Sequence, residues 1–135
     1  MEALEPGLYV GTLPACLDEE ALRQADITAL VCCGSSAPST PSFIDDSHTF
    51  HVPLDETDTS PLYLYFGLSA RFIQKQREEQ RHVLLYGAEG ETCHSTLAAA
   101  YYIHAQQTTA SQALEMVRTR CPTAQPPSYF CEQYV

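Results

Sequence analysis

The chain has 135 residues, of which 44% are apolar and 18% charged, too apolar and too weakly charged for a disordered chain and long enough to bury one core. Its 17 acidic residues against 7 basic ones give a formal net charge of -10, which argues against nucleic acid and anionic membranes as partners because both repel it. The opening residues MEALEPGLYV are acidic where a secretory leader is basic, and no run approaches the roughly 20 apolar residues of a membrane span.

Residues 8–10 (LYV) read as a short strand ended by Gly11, and residues 18–24 as a short helix with Asp18 as its cap. Residues 27–33 (ITALVCC) form a continuous β-branched and apolar run, the pattern of a strand buried on both faces. Residues 34–42 (GSSAPSTPS) have loop composition. Residues 49–54 (TFHVPL) alternate as an edge strand does, and Pro53 suits an edge or a strand end.

Ser60 and Pro61 predict the start of a long helix, with serine as cap and proline in the first turn. Leu62, Phe66, Ala70 and Ile73 share one face of it. Residues 82–86 (HVLLY) predict a second buried strand. A glycine-containing turn and an alanine-rich helix from about His94 follow. Thr109 and Gln112 have capping-box spacing. The helix behind them puts Ala110, Ala113, Leu114, Val117 and Cys121 on one face, and residues 129–135 are expected to form a last short helix.

Strands alternating with helices predict an α/β three-layer sandwich over residues 1–135 as a single domain: a central, mostly parallel sheet of about five strands with helices on both faces. Its functional corner is the strand–turn–helix at residues 82–106, because ligands in such folds bind at the C-terminal strand ends against helix N-termini. The six cysteines contain no CxxC pair, so no zinc site and no metal are expected, and they read as free, mostly buried thiols of an intracellular chain. The cytoplasm is the expected compartment, with the nucleus as the alternative. His48 and His51, taken as strand residues, would face opposite sides of the sheet and hold no metal. Tyr86, Tyr101 and Tyr102 are expected in the core. Tyr63, Tyr65 and Phe66 fit an interface or a half-buried core edge equally.

Four blocks carry a resemblance to the dual-specificity phosphatase family, of the cysteine-based protein tyrosine phosphatase superfamily. They are EPGLYVGTLPACLDEEALRQADITALVCC, FHVPLDETDTSPL, VLLYGAEGETCHSTLAAAYYI and SQALEMVRTRCPTAQPPSYFCEQY, collinear from about residue 5 to the C-terminus. The third resembles the family signature VLVHCxAGxSRSxTxxxAYL. The resemblance implies a cysteine thiolate that attacks phosphorus from a cradle of backbone N–H groups. It also implies an arginine that grips two phosphate oxygens and an aspartate that protonates the leaving oxygen.

Aligned on that signature, the loop runs Tyr86, Gly87, Ala88, Glu89, Gly90, Glu91, Thr92, Cys93, His94. Gly87 stands at the nucleophile position and Cys93 at the arginine position. Tyr86 replaces the preceding histidine, and His94 replaces the hydroxyl residue after the arginine. Gly90, Thr92 and the general-acid aspartate, Asp55, remain. Glycine at the nucleophile is similar to the serine/threonine/tyrosine-interacting (STYX-type) pseudophosphatases, but those keep the arginine.

A glutamate about 5 Å from a phosphate charge costs on the order of 3 kcal/mol at an effective dielectric of 20. Losing the arginine's bonds costs roughly another 1.5–3 kcal/mol, against about 0.3–2 kcal/mol regained from the helix N-terminus. The resemblance therefore implies a catalytically inactive pseudophosphatase with no catalytic residues and no cofactor. It would act as a protein-interaction or scaffold module, its acidic loop suited to a basic segment of a protein partner. The alternatives are a phosphosite reader that binds without hydrolysis, or a structural subunit of a larger assembly.

Overall fold

A computed structural model describes residues 1–12, 16, 18–34, 40–53, 62–87 and 93–121. Its elements in chain order are β1 (Glu2–Glu5), β2 (Leu8–Thr12), α1 (Glu19–Gln24), β3 (Ile27–Cys33), β4 (Thr49–Val52), α2 (Phe66–Glu78), β5 (His82–Gly87), α3 (Cys93–Gln106) and α4 (Ala110–Arg120). The strands form one sheet in the order β1-β2-β5-β3-β4. Four of them run parallel, and β1 pairs antiparallel with β2 at one edge. Strand β1 was not anticipated: its sequence EALE neither alternates nor has a β-branched residue to announce it.

The side-chain period of two divides the sheet into two faces. Leu8, Val10, Ala29, Val31, Val83 and Leu85 point to the face covered by α2, α3 and α4. Leu30, Cys32, Leu84 and Tyr86 point to the other, under Leu22 of α1 and Ile44. This is the expected three-layer sandwich with a mostly parallel sheet of five strands. Helix α3 is buried without interruption from His94 to Tyr102, the pattern of a helix enclosed on all sides. Ala98, Ala99 and Ala100, all fully buried, let it lie close to both the sheet and its neighbouring helices.

Local chemistry sets the element ends. The Asp18 carboxylate accepts from the Ala21 N–H at 3.1 Å and caps α1. Thr109 and Gln112 close a complete capping box on α4, and Ala113, Leu114, Val117 and Cys121 are buried as its period requires. The strand predicted over residues 49–54 stops at Val52, before Pro53, which has no N–H to continue the ladder.

The long helix begins as a 3-10 turn, Leu62–Tyr65, before becoming α2. Ser60 and Pro61, its expected start, lie outside the described residues, as do the loop tip at 35–39 and the expected helix at 129–135. His48 sits in a 3-10 turn, Asp46–His48, because the Asp45 carboxylate accepts from the Ser47 N–H at 2.9 Å and starts that turn. It is therefore not a strand residue opposite His51. Asp26, Gln80 and Gln107, beyond the ends of α1, α2 and α3, adopt left-handed φ of 58°, 66° and 54°.

A polar cluster fastens β1 to the helical layer. The Tyr102 hydroxyl donates to Glu5 at 2.8 Å, and Arg120 donates to that hydroxyl at 3.3 Å and to the Leu4 carbonyl at 3.4 Å. Arg77 donates to the Pro6 carbonyl at 2.7 Å and faces Glu5 at 3.6 Å. Gly7 between them has φ +91°, which favours glycine, and a Cβ there would push the Arg77 guanidinium aside.

On the α1 side, the Tyr86 hydroxyl is buried and makes no full-strength hydrogen bond to a described residue. The thiols of Cys32 and Cys16 face it, and a thiol is a weak partner. Burial pushes the Tyr86 hydroxyl and both thiols up, and the Cys121 thiol up to about 11. Among the described residues no helix is long and apolar enough to cross a membrane, and no cluster of three His, Cys, Asp or Glu side chains could hold a metal.

Two predictions follow from these contacts. Tyr102→Phe removes a hydroxyl bonded to a carboxylate; thermal unfolding should show a loss of about 1.5 kcal/mol, roughly 4–6 °C in Tm. The buried thiols and tyrosines favour their neutral, protonated forms, so their folded pKa values exceed the unfolded ones. The stability this contributes is complete below about pH 9, the unfolded thiol value, and is lost as pH rises through the folded values. Tm measured from pH 8 to 11 should fall with increasing slope, and Cys121→Ala should flatten that fall.

Candidate functional site

Four strands of the parallel part of the sheet end level with one another. The register sets Thr12 and Cys33 on either side of Gly87, and Val52 beside Cys33. Beyond that edge the Gly34 N–H donates to the Val52 carbonyl at 3.0 Å. His51 Nε2 lies 2.7 Å from the Gly34 carbonyl, and since a carbonyl only accepts, Nε2 carries the proton. These bonds hold the ends of β3 and β4 together. Chain leaving β5 at Gly87 re-enters the described structure at Cys93, the first residue of α3. This is the strand–turn–helix corner expected from the sequence.

Gly87 is buried, and its φ is not positive, so room decides what could stand there. A Cβ on Gly87 would lie 3.0 Å from His94 Nδ1, 3.7 Å from His94 Cγ and 3.2 Å from the Cys33 carbonyl oxygen. The imidazole of His94, itself only 6% exposed, is packed into the space that a side chain at position 87 would enter. A side chain introduced there would require the ring and the Cys33 carbonyl to give by a few tenths of an ångström, in an interior with little spare volume.

Cys33 is disulfide-bonded, which corrects the expectation of free thiols throughout. The physical reason is its position: a buried sulfur at a strand end, where chain segments converge, is held in place and can meet another cysteine in a fixed geometry. Cys16, Cys32 and Cys121 are buried thiols outside any disulfide, as expected.

Of the residues singled out from the sequence, Tyr86, Gly87 and His94 come together at this corner, and Cys93 begins α3. Ala88, Glu89, Gly90, Glu91, Thr92 and Asp55 lie outside the described residues. So does the expectation that the Cys93 side chain merely fills the arginine's space. Tyr86, Tyr101 and Tyr102 are core residues. Phe66 is buried and Tyr65 half-buried, which favours the core-edge reading for that pair.

Sequence reasoning missed two features: the packing of His94 against Gly87, and the bonded state of Cys33. The first had a signal, since a side chain lost at one loop position and a larger one gained seven residues on can exchange volume. The second had none, because adjacent Cys32 and Cys33 differ only in which face of the sheet they point to.

The family model for the dual specificity phosphatase catalytic domain matches residues 8–134. Human dual specificity protein phosphatase 16 is 27% identical over 128 residues, covering 95% of this chain and 19% of that protein. Dual specificity protein phosphatase 1 of Arabidopsis thaliana is 27% identical over 130 residues, covering 96% of this chain and 65% of that protein. The chain thus spans only part of the length of these curated relatives. Among solved structures, human DUSP28 superposes with a TM-score of 0.87 at 20% identity, covering 98% of this chain and 92% of that one. The human tyrosine phosphatase-like serine/threonine/tyrosine-interacting protein superposes with a TM-score of 0.85 at 18% identity, covering 98% and 91%. At these identities the likeness establishes the fold. Since the family model runs across the sheet, the strand-end corner and the helical layer alike, the chain belongs to the dual specificity phosphatase catalytic-domain family.

Proposed function

We propose that this chain is a pseudophosphatase: it keeps the phosphatase fold, performs no phosphoryl transfer, and works as a protein-binding module. The observation that carries this reading is the His94 imidazole packed against Gly87. Covalent phosphoryl transfer needs a thiolate aimed at phosphorus; position 87 offers no side chain, and one placed there would press on the His94 ring. The thiols outside any disulfide among the described residues are buried, with burial raising the pKa of each, which leaves them protonated and inert. Position 93 carries cysteine in place of the planar guanidinium that grips phosphate, and Glu89 and Glu91 add negative charge to the loop sequence. With -10 overall, an acidic loop suits a Lys- or Arg-rich segment of a protein partner.

The first test is a titration with vanadate, sulfate and phosphotyrosine and phosphothreonine peptides. Wild type should bind none at millimolar concentration and should hydrolyse no aryl phosphate. Gly87→Cys with Cys93→Arg should restore little, because the new sulfur meets His94, and overpacking costs about 1–3 kcal/mol. Adding His94→Ser should restore vanadate binding and raise Tm relative to the double variant. Micromolar binding of a phosphopeptide by wild type would instead make the protein a phosphosite reader.

The second test is calorimetry with a Lys/Arg-rich peptide at low and high salt. Binding should weaken about tenfold or more in Glu89→Lys with Glu91→Lys, and should weaken in wild type as salt rises. Equal affinities for the two proteins would refute the loop as the contact.

A further inference from the structure

Among the described residues the exposed large apolar side chains are Met1, Leu64 and Leu68, the two leucines 59% and 50% exposed. Leu64 lies in the 3-10 turn that leads into α2, and Leu68 in the first turn of α2. Arg71 and Lys75, both exposed, continue the same stripe at helical spacing, positions i, i+4, i+7 and i+11. The opposite side of the helix is buried. We propose that this stripe docks an acidic amphipathic helix of a partner protein, whose apolar side chains cover Leu64 and Leu68 while its carboxylates meet Arg71 and Lys75.

Charge names the occupant. The chain carries 7 basic residues against 17 acidic ones, and four of the seven fall within residues 71–81. Arg77 is engaged with Glu5 and the Pro6 carbonyl, and Arg81 with Glu79 and Gln76. Arg71 and Lys75 close no ion pair with a described residue. The Glu79 carboxylate, one turn beyond Lys75, is already held by Arg81 at 3.1 Å through both oxygens. An acidic chain thus keeps two uncompensated cations in line with its two exposed leucines. Charges farther apart than about 8 Å are largely screened at physiological salt, so a carboxylate on this stripe responds to Arg71 and Lys75 before it responds to the net charge of -10.

The local shape suits a packed helix. Gly67 carries no side chain, and the point its Cβ would take lies 3.9 Å from His104 Cε1 and 4.0 Å from Arg71 Nη2. His104, in the last turn of α3, and Arg71 therefore flank a notch floored by the Gly67 backbone. Arg71 Nε donates to the Gly67 carbonyl at 3.3 Å, which lays the guanidinium along the helix and leaves its terminal nitrogens for a carboxylate. A basic apolar segment would cover the leucines and be repelled by the cations, so the face selects as well as binds. It is a contact face opposite in sign to the acidic loop sequence between β5 and α3, and it stands whether or not that loop takes a basic segment.

Titration of the full chain with a fluorescent helical peptide of about 15 residues tests this, the peptide having leucines at i and i+4 and glutamates one turn beyond them. Binding should saturate below about 1 mM and shift the backbone amide resonances of residues 64–75 and of His104. It should weaken roughly tenfold in Leu64→Ser with Leu68→Ser. It should weaken roughly fivefold in Arg71→Glu with Lys75→Glu, and likewise for a peptide with glutamine in place of each glutamate. All four side chains are exposed, so circular dichroism should show both variants folded with Tm close to wild type. Glu89→Lys with Glu91→Lys should bind the peptide as wild type does, which separates this face from the loop. Equal affinity for the glutamate and glutamine peptides would overturn the proposal, as would no binding at all or resonance shifts confined to other elements. Self-association in sedimentation that Leu68→Ser abolishes would give the stripe to a second copy of this chain instead.

Discussion

Strand β5 is buried on both faces from Val83 to Gly87, and most of this molecule depends on that constraint. It lies between β2 and β3 with both ladders filled, so its backbone needs nothing from outside and its direction is fixed. Chain leaving β5 at Gly87 re-enters the described structure as a helix across the sheet. That helix is α3, and its burial follows from having the sheet below it and α2 and α4 beside it. The strand-end corner is thus a product of core packing, and it persists whether or not the chemistry that relatives perform there is retained.

The sheet and its helical layer do not depend on which side chain stands at the end of β5. The thiol of an active loop contributes little to the core, while Val83, Leu85, Leu97 and Tyr102 contribute much of it. Burial of each such side chain stabilises by about 1.5–3 kcal/mol. At this corner the His94 imidazole packs against Gly87, and Cys33 beside it is bonded.

The layer architecture was legible because it rests on periodicity. The ITALVCC and HVLLY runs have the pattern of strands buried on both faces, and the Thr109 and Gln112 spacing announced α4. Strand β1 was not legible, since EALE has the propensities of a helix and pairs only because Arg77, Arg120 and Tyr102 fasten it from distant parts of the chain. At the site, the identities of Gly87, Cys93 and His94 were plain from alignment with the signature, but their mutual packing was not. Linear sequence records which side chains are present, whereas the contest for one volume between positions 87 and 94 is settled in three dimensions. The bonded state of Cys33 was hidden for the same reason, as its identical neighbour Cys32 stayed free on the opposite face.

The left-handed residues at the helix ends bear on how much stability the fold retains. Asp26, Gln80 and Gln107 occupy a conformation that costs a residue with a Cβ roughly 1–2 kcal/mol. Together they draw about 3–6 kcal/mol from a domain whose net stability is typically about 5–15 kcal/mol. Strain of that size is a large share of such a surplus, and glycine at any of the three positions would return part of it.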